Sequence, residues 1–498
     1  MVDFYKIRPK KKENVVKRFK TFSLLLLSAA LLASCSAVKV EDAGKSASVA
    51  PTVQPQIVQY TGSPSDAVSM VYTTKRELAL TFNGMADKAT MKKLLDLLDT
   101  YKIKATFFLP GMRVAEEPDI AKLIAARGHE IENNTLNRLD MKKLPYDQMV
   151  KEIKLSNDVI YKKTGVKPLY MRTMLGDYTN NVRLAAAQGG MKAVVGTSLF
   201  LHNWENETPL QKSNYIRKYI NRGGIIALDT QENKTITESV KLIAEGAKNV
   251  GYQFVRLDKL MRDGGKRKPL QQIPGWNAAL INTNYAAATY NVMYNKQDDP
   301  KKEVALTFDD WGSDYTVTKI LDVLSSYKVK ATFFLRADGV ERNPNLARAI
   351  AEDGHDVGNH TYSHPVITTI TPAQIQQEIV KAHKIITEAI QQQPTMLFRP
   401  PTGVGSESTL KVVGATGYHN IANFDVDPED FDKSRTAAQI VQTIKDGTKN
   451  GSVVLLHMLD DKHTIEALPS IITTLRDQGY TFVRMSELMG LAPTRQGV

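Results

Sequence analysis

The stretch Glu303-Val304-Ala305-Leu306-Thr307-Phe308-Asp309-Asp310 decides the reading of the fold, because most of it occurs twice. Ala79 to Gly84 reads A-L-T-F-N-G, and Ala305 to Asp310, 226 residues later, reads A-L-T-F-D-D. The same offset joins Y-K-I-K-A-T-F-F-L at 101–109 to Y-K-V-K-A-T-F-F-L at 327–335, and G-H-E-I-E-N-N-T at 128–135 to G-H-D-V-G-N-H-T at 354–361. A constant offset across segments of different local character marks a duplicated domain. The apolar framework stands in both copies. The carboxylates and imidazoles able to hold a metal stand only in the second.

Around this stretch, short apolar runs alternate with helical patterns. Glu303 to Phe308 reads as a buried strand, and Val317, Ile320, Leu321 and Leu324 have helical spacing. Lys330 to Leu335 is again strand-like, Leu346 to Glu352 is helical and stops at Gly354, and Thr371-Pro372 opens a longer helix over 370–392. Met396 to Phe398, Gly417 to Ala422, Ser452 to Leu456 and Tyr480 to Met485 complete the strands. This alternation predicts an α/β domain of parallel strands with right-handed crossovers, either a barrel or an open sheet, with chemistry at the C-terminal strand ends.

The first repeat is read over 68–264 and the second over 301–491. The basic, Gly- and Pro-marked stretch at 263–275 and the segment 276–300 form a linker (265–300) that carries Trp276 and three Tyr-Asn or Asn-Tyr pairs. Residues 36–66 are small, polar and Pro-bearing, so 35–67 reads as a flexible tether. Before it, basic residues end at Lys20, and an apolar run from Phe22 to Ala33 follows. That run is too short for the roughly 20 residues of a membrane span and suits a signal peptide over 1–34. Leu32-Ala33-Ser34-Cys35 resembles a bacterial lipobox, and Cys35 is the only cysteine. The expectation is an exported lipoprotein, lipidated at Cys35 and facing the cell wall or periplasm. An ordinary signal peptide with a chance cysteine is the plainer alternative.

The full chain has 498 residues, 42% hydrophobic and 24% charged, an ordinary globular composition. Residues 1–34 hold eight Lys/Arg against two acids, so without them the net charge falls from +12 to +6. No basic helix or aromatic-basic ladder points to nucleic acid.

Within the second repeat, titratable residues recur at successive strand ends. Asp309 and Asp310 follow the strand 303–308; alone, the pair reads as a helix cap or a turn. His360 and His364 stand at i, i+4, which on a helical turn brings both rings to one metal. His355 recurs as His129 and reads as structural. Arg399-Pro400-Pro401-Thr402-Gly403 is either a rigid turn or a carboxylate clamp. Phe424 to Phe431 is acidic and aromatic, and His457 ends the strand after Leu455 and Leu456.

In this order, T-F-D-D, H-T-Y-S-H, R-P-P-x-G, D-x-x-D-aromatic and L-L-H resemble the five motifs of the NodB-type polysaccharide deacetylases over 303–488. The first repeat resembles the same domain with eroded motifs. The resemblance implies two tandem distorted (β/α) barrels and metal-dependent removal of acetyl groups from a polysaccharide. It implies Asp310, His360 and His364 as ligands of a divalent ion, zinc first, with cobalt, nickel or manganese as alternatives. Asp309 would be the general base and Arg399 its orienting partner. His457 would be the general acid, kept protonated by Asp427. The Thr402 backbone N–H would face the oxyanion, and Leu455 would line the acetyl pocket. Trp311 replaces the family's usual Gly, and is expected to narrow the groove or stack on a sugar. Thr402 replaces Tyr, and Phe431 stands where Trp is common.

Aligned on the duplication, Asp309 and Asp310 become Asn83 and Gly84. His360 and His364 become Asn134 and Arg138, Arg399 becomes Arg172, and His457 becomes Asp229. The first repeat is therefore expected to be inactive, either a glycan-binding relic or a packing partner. Asp87, Asp177 and Trp204 could face an old groove, but each reads first as ordinary surface or core. The substrate expected for the whole is an acetylated envelope glycan: peptidoglycan, poly-N-acetylglucosamine or a chitin-like polymer. A non-catalytic glycan-binding lipoprotein and a small-amide hydrolase are the competing readings.

Overall fold

The computed structural model describes residues 57–201, 206–296 and 300–491. Cys35, the signal segment and Trp204 lie outside them. The described residues from 57 onward belong to one compact unit.

The first sheet is built from β1 (Asp66–Val68), β2 (Glu77–Asn83), β3 (Thr106–Leu109), β4 (Glu130–Asn133), β5 (Tyr170–Met171), β6 (Ala193–Val195), β7 (Leu199–Leu201), β8 (Ile225–Asp229) and β9 (Gln253–Phe254). The second is built from β10 (Asn291–Met293), β11 (Glu303–Asp310), β12 (Thr332–Leu335), β13 (Asp356–Asn359), β14 (Leu397–Phe398), β15 (Asn420–Ala422), β16 (Ser452–His457) and β17 (Thr481–Val483). Their orders, 1-6-5-4-3-2-8-7 and 10-15-14-13-12-11-16, correspond strand for strand apart from β7, with β9 and β17 added beside β2 and β11. Every ladder within the sheets is parallel. The chain thus forms two tandem (β/α) half-barrels, the fold expected from the alternation.

β11 is apolar almost throughout because both of its faces are covered. Val304, Leu306 and Phe308 pack outward against the helices. Ala305 packs inward with Phe334, Leu397, Ala422, Val453 and Met485. Thr307 and Asp309 continue the inward file by the two-residue period of a strand. In β2, Leu78, Leu80 and Phe82 divide from Ala79 in the same way.

The residues shared by the two repeats have matching structural duties. Phe82 stacks on Phe107 at 4.8 Å, and Phe308 on Phe333 at 4.9 Å. His129 Nδ1 accepts from Ala105 N at 3.1 Å, and His355 Nδ1 from Ala331 N at 3.0 Å. The Thr106 and Thr332 hydroxyls accept from Leu257 N and Met485 N at 2.9 and 2.8 Å, tying the last helix of each domain under its barrel.

Two boundaries move. The tether read as ending at 67 already takes in the start of β1, which pairs with β6. The linker read at 265–300 contains β10, which pairs with β15, and its Gly275 carbonyl meets the buried His383 Nε2 at 2.9 Å. Both segments carry edge strands whose short apolar runs, Ala67-Val68 and Val292-Met293, were hidden among turn residues.

Candidate active site

Asp309 and Asp310 close β11. Asp309, 4% exposed, accepts from Arg399 Nη1 at 2.8 Å. Burial raises its carboxyl pKa, against the pull of the Arg399 guanidinium. Asp310 has φ 77°, in the left-handed region, and its Oδ1 lies 3.4 Å from His364 Nε2.

The two histidines do not share a helical turn as their spacing predicted. They flank a bend in which Thr361 and His364 are left-handed, at φ 66° and 68°. Side chains hold this bend in place of backbone helix bonds. Asn359 Oδ1 accepts from Thr361 N at 2.9 Å, and Glu378 Oε2 accepts from Tyr362 N and Ser363 N at 2.9 and 2.7 Å. The imidazole centroids come to 4.9 Å.

His360, 1% exposed, meets the Arg399 carbonyl through Nδ1 at 2.8 Å. A carbonyl only accepts, so Nδ1 carries the proton and Nε2 is left with its lone pair. Burial pushes this imidazole down to about 3, so it is neutral near neutral pH. Ligand atoms of Asp310, His360 and His364 all lie within 4.8 Å of one another. One carboxylate oxygen and two imidazole nitrogens are a donor set that fits zinc and similar divalent ions. These three residues form a group able to hold a metal.

His457 lies directly beside Asp309 in the β11–β16 ladder. Its expected partner, Asp427, is elsewhere: that carboxylate is exposed and accepts from Glu429 N at 2.8 Å, closing a turn. The partner is Asp430. It is buried, and its Oδ1 lies 2.7 Å from His457 Nδ1, while Oδ2 accepts from His457 N and Thr464 Oγ1 at 2.9 and 2.6 Å. The His457 pKa is raised: burial lowers it, and Asp430, then Asp309 and Asp310, outweigh that. The Asp-x-x-Asp spacing gave two candidates; the left-handed Glu429 (φ 57°) turns the second inward.

Arg399 is wholly buried. Besides Asp309 it donates to Thr307 Oγ1 and to the carbonyls of Ala422 and Asn423, at 2.7, 2.8 and 3.0 Å. Thr402 is exposed at φ 63°, in the turn after Arg399. Leu455, 4% exposed, pairs with Thr307 two residues below His457 on the strand.

 The Trp311 indole lies over Gly339, where an added Cβ would fall 2.2 Å from the ring, and it packs against the core of the second domain. That seat commits much of the ring to protein, so the expected stack on a sugar gains no support. Phe431 is 45% exposed, with its ring edge-on to His457 at 5.4 Å.

The first barrel repeats this frame with other contents. Arg172 donates to Thr81 Oγ1, Asn83 Oδ1 and the carbonyls of Val195 and Gly196, at 2.7, 3.1, 3.1 and 3.0 Å. Asn134 Nδ2 donates to the Arg172 carbonyl at 2.9 Å, as His360 does to Arg399. Asp229 pairs with Asn83 in the ladder as His457 does with Asp309. Arg138 Nη2 donates to Asp229 at 2.6 Å, and its other terminal nitrogen bonds Gln231. Gly84 has φ 76°, and a Cβ there would lie 2.9 Å from Arg138 Nη1. A fixed guanidinium thus lies beside the position that corresponds to Asp310. Asp87 caps the helix Lys88–Thr100, and Asp177 pairs with Lys142.

Sequence reasoning missed Asp430 and Glu378. For Glu378 a signal existed: at the repeat offset stands Glu152, which accepts from Asn137 N and Nδ2 at 2.8 and 2.6 Å.

A family model described as polysaccharide deacetylase matches residues 71–194 and again 296–421, together half of the chain. The chain is 33% identical over 213 residues to the peptidoglycan-N-acetylglucosamine deacetylase PgdA of Listeria monocytogenes, covering 43% of this chain and 44% of that protein. It therefore spans less than half the length of that relative. A peptidoglycan-N-acetylglucosamine deacetylase of Bacillus cereus is 35% identical over 193 residues, 38% of this chain and 89% of that protein. Among solved structures, the Bc1960 peptidoglycan N-acetylglucosamine deacetylase matches with a TM-score of 0.39 at 33% identity, over 41% of this chain and 96% of that one. BA3943, a pseudoenzyme of Bacillus anthracis, matches with a TM-score of 0.38 at 29% identity, over 40% of this chain and 69% of that one.

Proposed function

The chain belongs to the polysaccharide deacetylase family, and on that premise we propose that its second domain hydrolyses the N-acetyl amide of a cell-envelope glycan, peptidoglycan first among them. The observation that carries this reading is the convergence of Asp310, His360 and His364 within 4.8 Å, beside the Asp309–Arg399 and His457–Asp430 pairs. Asp310, His360 and His364 would hold a divalent ion, zinc by preference. Bound there, the ion supplies Lewis acidity toward water and the acetyl carbonyl.

The chain's own groups divide the proton work. Asp309 takes a proton from the attacking water, and Arg399 fixes the carboxylate that does so. His457, on the same rim, gives a proton to the departing amine. Asp430 opposite its Nδ1 holds the ring in orientation and favours its charged form. The backbone N–H of Thr402 would face the oxyanion, and Leu455 would border the acetyl methyl. The products are acetate and a free amino sugar.

The first domain is inactive in this reading, because Gly84, Asn134 and Arg138 replace the ligands and Asp229 replaces the acid. Lipidation at Cys35 and export to the envelope belong to the same proposal; their support is the basic and apolar leader and the lone cysteine. The test is acetate release from peptidoglycan, poly-N-acetylglucosamine and chitin oligomers in the presence of zinc. Release that fails with every substrate, or that persists equally in Asp310→Ala, would sink the proposal.

A further inference from the structure

The base of the first barrel reaches the rim of the second through one buried arginine. Arg222 immediately precedes the Gly223-Gly224 turn into β8, at the opposite end of that strand from Asp229. It is 3% exposed, yet its charge is met from the other domain. Asp314 Oδ1 accepts from its Nη2 and Nε at 3.0 and 3.3 Å, and Asp314 Oδ2 from its backbone N at 3.3 Å. Nη2 also donates to Thr318 Oγ1 at 2.6 Å, and Nη1 to the Thr74 carbonyl at 3.2 Å. Asn343 Nδ2 donates to Asp314 Oδ2 at 3.0 Å, and Asn345 Nδ2 donates to the carbonyls of Val71 and Arg222, both at 2.8 Å. The backbones come close enough that a Cβ on Gly223 would lie 1.9 Å from the Val71 carbonyl oxygen, so only glycine fits.

Asp314 stands four residues after Asp310. It is the first residue of the helix Asp314–Ser326, so the loop between them is pinned where that helix starts. The loop after His457 is joined to the same point: Asp460 Oδ1 accepts from Ser313 N, Ser313 Oγ and Thr316 Oγ1 at 3.1, 2.7 and 2.5 Å. Its neighbour Asp461 pairs with Arg217 of the first domain at 2.7 Å. Both loops that leave the candidate site, one from Asp310 and one from His457, are thus held by arginines of the domain that lacks a site of its own.

We infer that Arg222 is a positioning residue for the second domain: the first domain, inactive at its mouth, uses its base to set the loop that follows Asp309 and Asp310 at the end of β11. This rests on the deacetylase reading for its activity readout, but its metal readout is independent of substrate. A buried charge cannot simply be deleted, because its partner is left uncompensated. The decisive variant is therefore Arg222→Met with Asp314→Leu in the whole chain, which removes both charges and keeps apolar volume. A purely structural pair would tolerate this exchange. A positioning pair would not.

Three quantities are measured: the thermal midpoint, kcat and KM for acetate release, and the zinc dissociation constant by competition with a chelator. The double variant should keep a midpoint near that of wild type, lose about tenfold in kcat with little change in KM, and bind zinc about tenfold more weakly, as outer partners of a metal site do. Arg222→Lys, which keeps the charge but loses the fork, should recover part of both losses. Arg217→Leu, at an exposed pair, is a second variant that leaves folding intact and should lower kcat more mildly. A folded double variant with unchanged kcat and unchanged zinc affinity overturns the inference. If the double variant does not fold, wild-type kcat and zinc affinity in Arg217→Leu and Arg222→Lys overturn it instead. Should wild type release no acetate, the deacetylase reading fails by itself, and the zinc affinities still decide the role of Arg222.

Discussion

At the mouth of the first barrel, Arg138 lies against Asp229 beside a glycine. At the mouth of the second, His364 lies against Asp310 beside Asp309. The frame around the two is the same: an arginine threaded through the barrel to a threonine and to the residue beside it in the inward file, an Asn or His bonded to that arginine's carbonyl, and a glutamate bracing the bend. The difference teaches which side chains the barrel needs and which only the chemistry needs. Arg172 keeps every type of bond that Arg399 makes although its partner is Asn83, not a carboxylate, so this arginine is a structural fixture as well as an orienting one.

The comparison can be broken most severely at the metal group. Asp310→Ala should lower acetate release about a thousandfold or more and remove the zinc, whereas Arg138→Gln should leave both within about twofold. Acetate assay and metal stoichiometry, expected at one ion per chain, measure this. Two ions per chain would erase the distinction between the mouths. Next in size is the corrected partner of His457. Asp430→Asn should lower kcat about a hundredfold, and Asp427→Asn by less than about twofold; the reverse ranking would restore the carboxylate expected from spacing.

The buried arginines come third, and they sharpen the comparison through stability. Arg399→Leu leaves Asp309 as an uncompensated buried charge and should cost about 3–5 kcal/mol. Arg172→Leu strands only neutral acceptors and should cost about 1–3 kcal/mol. Denaturant unfolding ranks them. The smallest difference between the two halves is in acid sensitivity. Burial lowers the pKa of His355 from 6.5 to about 3 and that of His129 to about 4, so each is neutral in the folded chain near neutrality. Below about pH 6.5 the unfolded chain takes up these protons and the folded chain does not. The associated stability, full above that pH, is therefore lost as pH falls toward 4 and 3, at up to about 1.4 kcal/mol per unit for each residue. His355→Gln should flatten the acid limb of the stability curve over a wider range than His129→Gln. Identical limbs for the two variants would contradict this.

Much of this was legible in the sequence, for stated reasons. Repetition exposed the domains, and β11 was readable because burial on both faces makes it continuously apolar. The ligand group was readable because Asp310, His360 and His364 stand where the other copy has Gly84, Asn134 and Arg138. What escaped depended on backbone turns. The bend at Thr361 and His364 and the turn at Glu429 are left-handed at non-glycine residues, which residue type does not announce. The first made a helical spacing out of a loop, and the second exchanged Asp430 for Asp427. The edge strands β1 and β10 escaped because three residues among turn formers carry too short a period to recognise. Arg222 and Asp314 belong to different repeats, and an offset that compares like with like says nothing about contacts between unlike positions.

The left-handed corner at the end of β11 bears on the history of the two halves. An aspartate at φ 77° presents its carboxylate at a conformational cost of about 1–2 kcal/mol, and glycine at the matching corner of β2, φ 76°, carries almost none of it. For a copy that does not need that carboxylate, exchange of aspartate for glycine is downhill in stability, and Arg138 occupies the space that a side chain at Gly84 would claim. Recovery of the site would have to run uphill: strain would return at Gly84 before any ligand group existed to reward it. The corner is in this sense a ratchet, favouring glycine wherever the carboxylate has no duty.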